Sequence, residues 1–348
     1  VLQPLGLLLD LAGETLRERL FVMQSEGGEE RCLRPDFTIP AVRAHIESGR
    51  AGGRYLYDGA VFLVSPPASD EPDEYRQIGL EVFNTADVPL ADAQIAGLAW
   101  KAARAGGRED LRLVFGDTAL FGAFIDALGL SEPLAARLRR AGGQPRRLAA
   151  ELARTGGASP APQGLQRLET VLTQLPETES AQMLEELWAL AGIQPVGGRP
   201  ASEIVHRLAA RSRAARAPSL TSDQAAVIEQ YLAISAPPAE ALRAMSLLVG
   251  GGAKTFDAAL KTWTARLRAL EDEGVDLERA TLAAGFSRPF GYYDGTFFEI
   301  VSDALGRDRP VAAGGRYDGL PVRLGAPRAT GAVGCMVRPA RAWAGAAA

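Results

Sequence analysis

The chain has 348 residues, with 38 basic and 42 acidic side chains and a formal net charge of −4. Hydrophobic residues make up 47% and charged residues 23%, so the composition is that of a globular protein with ample core. The charge balance gives no overall drive toward nucleic acid or an anionic membrane, and no run approaches the roughly 18 apolar residues of a membrane span. No basic stretch followed by an apolar signal core opens the sequence, which makes the cytoplasm the expected compartment.

Reactive side chains are scarce. Cys32 and Cys335 are the only cysteines, His45 and His206 the only histidines, and Lys101, Lys254 and Lys261 the only lysines. Two cysteines far apart in sequence are expected as small buried hydrophobes rather than a disulfide framework. A zinc site of Cys/His type lacks ligands, so no metal is expected, and nothing calls for a cofactor. Both histidines fall inside helical patterns, which disfavours a Ser-His-Asp or Cys-His nucleophile.

In chain order, a helix is predicted over 5–20, then strand-like LFVMQ (20–24), a polar turn and a second extended piece at RCLRP. Thr38 reads as an N-cap, with Pro40 in the first turn of a helix carrying Val42 and Ile46. Strand signals follow at 54–58, 61–65 and 78–83, the last two joined by the loop SPPASDEPDE (65–74). Helices are expected at 90–104 and 117–128 around a strand at 111–115. From 130 to 250 Leu, Ala, Arg and Glu recur at helical spacing without convincing strands. A helix at 254–273 precedes four further strand-like segments. The expectation is an α+β fold whose core, 1–129 and 251–348, is interrupted by an all-helical insertion at 130–250.

The insertion carries arginine runs, Arg137, Arg139, Arg140, Arg146 and Arg147, then Arg207, Arg211, Arg213 and Arg216. No aromatic residues interleave with them to stack bases, and a solvated helical face is the plainer reading. GGGAKT (250–255) has Ala253 where a phosphate loop needs glycine, and it is discarded as a nucleotide motif.

Four segments do carry chemistry. On a strand over 74–84, Gln77, Gly79 and Glu81 share one face, and an amide and a carboxylate beside a glycine leave a polar hollow suited to a ligand ammonium. RPDFT (34–38) can project Asp36 and Thr38 over the same sheet. SRPFGYYDGTFFEIV (287–301) adds the cation Arg288 and the pair Tyr292 and Tyr293, and AAGGRYDGL (312–320) allows close backbone approach. Together they fit a free amino acid, although a solvent-facing strand and a packed core would use the same residues.

These segments, in this order, resemble the catalytic core of class II histidyl-tRNA synthetases. LRPDFTIPAVR is similar to that family's LRPEGT…VR, YDGAVF to the start of its motif 2, YRQIGLEVF to its RQFHQLGCEVF-like strand, GYYDGTFFE to DYYNRTVFE, and GGRYDGL nearly matches. VLQPL is similar to the end of motif 1. The resemblance covers about 1–128 and 254–341 and implies a class II synthetase-like antiparallel sheet flanked by helices. It also implies that Asp36, Thr38, Gln77, Glu81, Arg288, Tyr292 and Tyr293 form an amino-acid pocket. Asp36 stands where that family has Glu, and Gly291 where it has Asp. Motif 2 departs further: Phe62-Leu63-Val64-Ser65 replaces FRxE, and apolar Leu63 cannot neutralise a phosphate. Motif 3 reads VRPARAW, with Arg338 at an expected glycine, Ala340 in place of Glu, and Arg341 retained. No anticodon-binding module follows in this sequence.

This pattern of losses is similar to the regulatory subunits of ATP phosphoribosyltransferase, which are synthetase-like and do not aminoacylate. That resemblance implies a homodimer inside a hetero-oligomer with a short-form catalytic subunit, L-histidine as feedback effector, and neither membrane nor nucleic-acid binding. An active histidyl-tRNA synthetase-like enzyme and a tRNA-binding paralogue remain the alternatives at this level.

Overall fold

The computed structural model describes all residues except 13, 25–26, 67–68, 70, 155–175, 191–218, 251–252, 289–290 and 346–348. It divides into two compact units: Val1–Gly129 with Ala141–Pro145 and Val227–Ala348, and Leu130–Arg140 with Arg146–Ala226. The helical pattern alone set the second boundary at 250, whereas compactness places 227–250 with the first unit. Pattern reports amphipathicity and not which core a helix packs on, so it is blind to this difference.

In the first unit, β1 (Leu2–Pro4), β2 (Val22–Gln24) and β3 (Glu30–Leu33) form a small antiparallel sheet in the order β1-β3-β2. The single helix expected over 5–20 is instead α1 (Leu5–Ala12) followed by a 3₁₀ segment, Glu14–Arg19. Helix α2 (Thr38–Ser48) ends at Gly49, whose φ of 64° is the left-handed conformation a helix stop favours. Its apolar residues Ile39 and Val42 are buried in one cluster with Leu5, Leu8 and Phe83.

The main sheet has eight strands: β4 (Gly53–Phe62), β5 (Glu74–Phe83), β6 (Leu111–Asp117), β7 (Ser235–Ala236), β8 (Ala280–Ala283), β9 (Thr296–Ser302), β10 (Ala312–Arg316) and β11 (Ala332–Val337). Their order is β4-β5-β11-β10-β9-β6-β8-β7. Pairing is antiparallel except between β6 and β8, so the sheet is mixed rather than purely antiparallel. The strand signals at 54–58 and 61–65 join in one strand, β4, which ends at Phe62 short of the second signal's last three residues. The α+β class holds.

Helices α3 (Val88–Arg104) and α4 (Thr118–Ala127), each capped by an aspartate side chain, pack with α5 (Lys254–Asp272). Helix α3 lies on β10 and β11. A charged network is buried where they meet. Asp92 of α3 accepts from Arg266 Nε and Nη2 of α5 at 3.0 and 2.8 Å, and from Arg316 Nε of β10 at 2.8 Å. Asp117 accepts from Trp263 Nε1 at 2.7 Å and from the Thr296 hydroxyl at 2.9 Å. The GGRYDGL segment is thus fastened at Arg316 on one face and free to present Tyr317 on the other.

In the second unit, helix Glu132–Ala141 carries Arg137, which pairs with Glu151 at 3.0 Å, and Arg139, which pairs with Glu132 at 2.5 Å. Arg146 and Arg147 are exposed. The second arginine run and His206 lie outside the described residues. Both cysteines are buried and unbridged. No described helix is long and apolar enough to cross a membrane.

Removing Asp92 takes away the carboxylate that Arg266 and Arg316 share, leaving Arg316 with Asp318 at 2.8 Å and Arg266 with Asp117 only at 4.0 Å. Asp92→Ala is expected to cost on the order of 3–5 kcal/mol of stability, read from chemical denaturation midpoints at constant slope. A loss below about 1 kcal/mol would mean that the network contributes little.

Candidate functional site

On the sheet face opposite the Asp92 network lies a cavity of about 840 Å³, lined by β5, β10 and β11, by the start of α2 and by the segment leading into β9. All seven residues singled out in the sequence line it: Asp36, Thr38, Gln77, Glu81, Arg288, Tyr292 and Tyr293. Alternation along β5 explains part of this. Gln77, Gly79 and Glu81 are buried, while Arg76 and Ile78 face outward.

Glu81 sits at the bottom. Its Oε1 accepts from the Thr38 hydroxyl at 2.8 Å and from the Tyr57 hydroxyl at 3.4 Å, and its Oε2 from the Tyr317 hydroxyl. Three strand and helix elements therefore converge on one carboxylate. Thr38 does not cap α2, since Phe37 occupies that position without a side-chain bond. Its hydroxyl is spent on Glu81 instead.

Gly334 faces Glu81 across the β5–β11 ladder, and a Cβ there would lie 1.5 Å from Glu81 Oε2. Only glycine leaves room for that carboxylate. The hollow expected above Gly79 is not empty. Tyr57 covers it, its ring atoms 2.3 Å from where a Cβ would stand, and its hydroxyl also reaches the Cys335 carbonyl at 3.3 Å.

Burial dominates the electrostatics. It pushes Glu81 up to about 7 despite the hydroxyls that favour its charged form. Asp36 is pushed up to about 6 for the same reason, against the opposing hydrogen bond from Tyr292 at 3.2 Å. Asp36 Oδ1 is buried without a hydrogen-bond partner. An unmade bond of this kind at a carboxylate is a place for a donor to enter.

Arg288 serves two surroundings. Its Nη1 pairs with Glu299 at 3.0 Å, and its guanidinium lies 5.6 Å from the centre of the Tyr293 ring, while Nε has no partner. The cation is held by one carboxylate and retains a donor. Tyr292 and Tyr293 pack against each other with ring centres 4.7 Å apart.

Sequence reasoning missed Tyr57 and Tyr317 as partners of Glu81. Tyr57 belongs to YDGAVF and Tyr317 to GGRYDGL, but their meeting depends on long-range strand register. It also passed over Glu71 and Tyr75 at the far end of the cavity, where Arg338 and Arg341 stand. Leu63 lines the cavity as an apolar, buried residue. His45 does not contribute: its Nδ1 lies 3.0 Å from the Tyr55 hydroxyl and its ring stacks on Phe83. Among the described residues no group of three or more His, Cys, Asp or Glu could hold a metal ion.

The raised carboxyl sets a pH dependence. Glu81 titrates near 7 when folded and near 4.5 when unfolded, so its contribution to stability is full below about 4.5 and lost as pH rises through 7. Raising the pH from 4.5 to 8 should therefore shift the stability difference in favour of a Glu81→Gln variant by on the order of 2 kcal/mol. Thermal melts of the ligand-free proteins check this, and parallel pH curves would contradict it.

The histidyl-tRNA synthetase family model matches residues 2–195 and 180–340. The chain is 36% identical over 346 residues to an ATP phosphoribosyltransferase regulatory subunit of Mesorhizobium japonicum, covering 97% of this chain and 89% of that one. It is 35% identical over 338 residues to the protein of the same name in Agrobacterium fabrum, covering 96% and 88%. Among solved structures, an ATP phosphoribosyltransferase regulatory subunit/histidyl-tRNA synthetase from Bacillus halodurans superposes with a TM-score of 0.61 at 18% identity, covering 98% of this chain and 72% of that one. A histidine–tRNA ligase subunit from Alicyclobacillus acidocaldarius gives 0.56 at 20% identity, covering 99% and 84%. These two likenesses speak to fold, and the curated relatives to family. The chain belongs to the family of ATP phosphoribosyltransferase regulatory subunits, built on a histidyl-tRNA synthetase-like fold.

Proposed function

We propose that the chain is the non-catalytic regulatory subunit of an ATP phosphoribosyltransferase, required by a short-form catalytic subunit in the first step of histidine biosynthesis. In this reading L-histidine is its feedback effector and occupies the cavity over Glu81. The observation that carries the reading is the contrast within one cavity: carboxylates, an arginine and hydroxyls of the kind an amino acid needs, beside apolar Leu63. Glu81 and Asp36 supply negative charge for the ligand ammonium, and Arg288 supplies positive charge for its carboxylate. Gln77, Thr38, Tyr292 and Tyr293 provide the polar and aromatic walls.

A ligand ammonium brought against Glu81 stabilises its ionised form, so binding below pH 7 expels a proton and affinity falls as the pH drops. Apolar Leu63 puts no cation where the synthetase resemblance expects the arginine that clamps the transferring phosphate, and Arg338 and Arg341 are already engaged by Glu71, which is why the chemistry is assigned to the partner. Allostery then requires that histidine bind the inhibited assembly more tightly than the active one. The assembly we envisage is cytoplasmic, a homodimer of this chain within a larger hetero-oligomer, contacting neither membrane nor nucleic acid.

Phosphoribosyl-ATP formation by the purified cognate short-form subunit tests the assignment. Adding this chain should raise the rate at least tenfold, and histidine should then suppress it. A folded chain that leaves the partner's rate unchanged would refute the proposal.

A further inference from the structure

The far end of the same cavity has a chemistry of its own. Arg338 and Arg341 stand there with side chains only 16% and 11% exposed. Each is fixed by groups other than an acid. Arg338 donates to the Tyr75 hydroxyl at 2.9 Å and lies 3.8 Å over its ring, and Arg341 donates to the Pro310 carbonyl at 2.8 Å. Between them sits one carboxylate, Glu71, whose Oε2 bonds Arg341 Nη2 and lies 3.9 Å from Arg338 Nη1.

Two cations therefore share one counter-charge. Burial, and then the Arg338 charge, brings Arg341 down to about 10, and burial lowers Arg338 as well. Arg338 Nε is buried without a hydrogen-bond partner. The next carboxylate, Glu299, is already engaged by Arg288 at 3.0 Å. Prearranged guanidinium forks in excess of their counter-charge are a favourable setting for a phosphate.

Glu71 reaches this place from the loop between β4 and β5. Ser65 Oγ donates to the Glu71 carbonyl at 2.9 Å, the Glu71 amide donates to Ser69 Oγ at 3.3 Å, and the Ser65 amide donates to Asp73 Oδ1 at 2.7 Å. These bonds hold the backbone at Ser65 and Glu71 independently of the Glu71 carboxylate. The side chain can thus be neutralised without removing what positions it.

We infer that Glu71 is a built-in anion. It fills an anion-binding end of the cavity formed by Arg338 and Arg341, and so restricts the cavity to an amino acid that carries no phosphate. The inference deepens the effector reading above, because it names what the retained pocket excludes. A phosphate-bearing ligand must displace Glu71 from two buried arginines, and removing a partner from buried charges is costly. Neutralising Glu71 should convert the plug into a vacant anion site.

The test is calorimetric titration of sodium pyrophosphate into the full chain and its Glu71→Gln and Glu71→Ala variants, with L-histidine titrated in parallel. Pyrophosphate should bind both variants at least tenfold more tightly than the unmodified chain. Adding Arg341→Gln to Glu71→Gln should abolish the gain, while histidine affinity in Glu71→Gln stays within about twofold. Equal pyrophosphate affinity with and without Glu71, or a gain that survives Arg341→Gln, would overturn the inference. If histidine binds none of the proteins while the pyrophosphate gain persists, the effector assignment falls and the role of Glu71 stands.

Discussion

A carboxylate buried beneath three hydroxyl groups is the constraint from which the site follows. Glu81 has a preference for neutrality imposed by its surroundings, about 7 against an ordinary 4.5, and donors from α2, β4 and the end of β10 to offset it. Each donor ties a different part of the chain to this point. Gly334 is required opposite it because any side chain there would take the carboxylate's place. A carboxyl group raised by burial gains from a cation placed beside it, which is the physical basis of the ammonium selectivity we propose.

The back of the sheet supports the front. Arg316 and Tyr317 are neighbours in sequence, yet one is locked to Asp92 behind the sheet and the other donates to Glu81 in front. Helices α3 and α5 meet at Asp92 through Arg266, so the position of Tyr317 is set by groups far from the cavity. Arg316 ends β10, a strand buried throughout, and Tyr317 follows it directly, so the two sides of the sheet are tied at adjacent residues. The two ends of the cavity differ in the same terms. One end has carboxylates in search of a cation, and the other has arginines already supplied with an acid by the chain itself.

Much of this was legible in the sequence where the signal was local. Strand alternation put Gln77 and Glu81 on one face, and Tyr292 and Tyr293 stood directly before the Asp-Gly turn signal that leads into β9. Asp294 of that turn accepts from the amides of Asp318 and Gly319, linking the two Asp-Gly turns in a way neither reveals alone. What depended on register was not legible. Tyr57 stands opposite Gly79 and fills the hollow that glycine seemed to leave. Thr38 read as a cap because its position suits one, but a buried carboxylate 43 residues away took its hydroxyl. The helix at Pro238–Val249 looked like part of the insertion, because a helical period does not say which core it packs on.

The central claim is that Glu81 seats the ammonium of histidine. Calorimetric titration of L-histidine into the isolated chain and into Glu81→Ala, at pH 8 and at pH 6, tests it most directly. The account predicts saturable binding at pH 8, weaker binding at pH 6, and at least a tenfold loss at pH 8 in the variant, which should remain folded. Histidine binding of equal strength in Glu81→Ala would contradict it and move the effector site elsewhere.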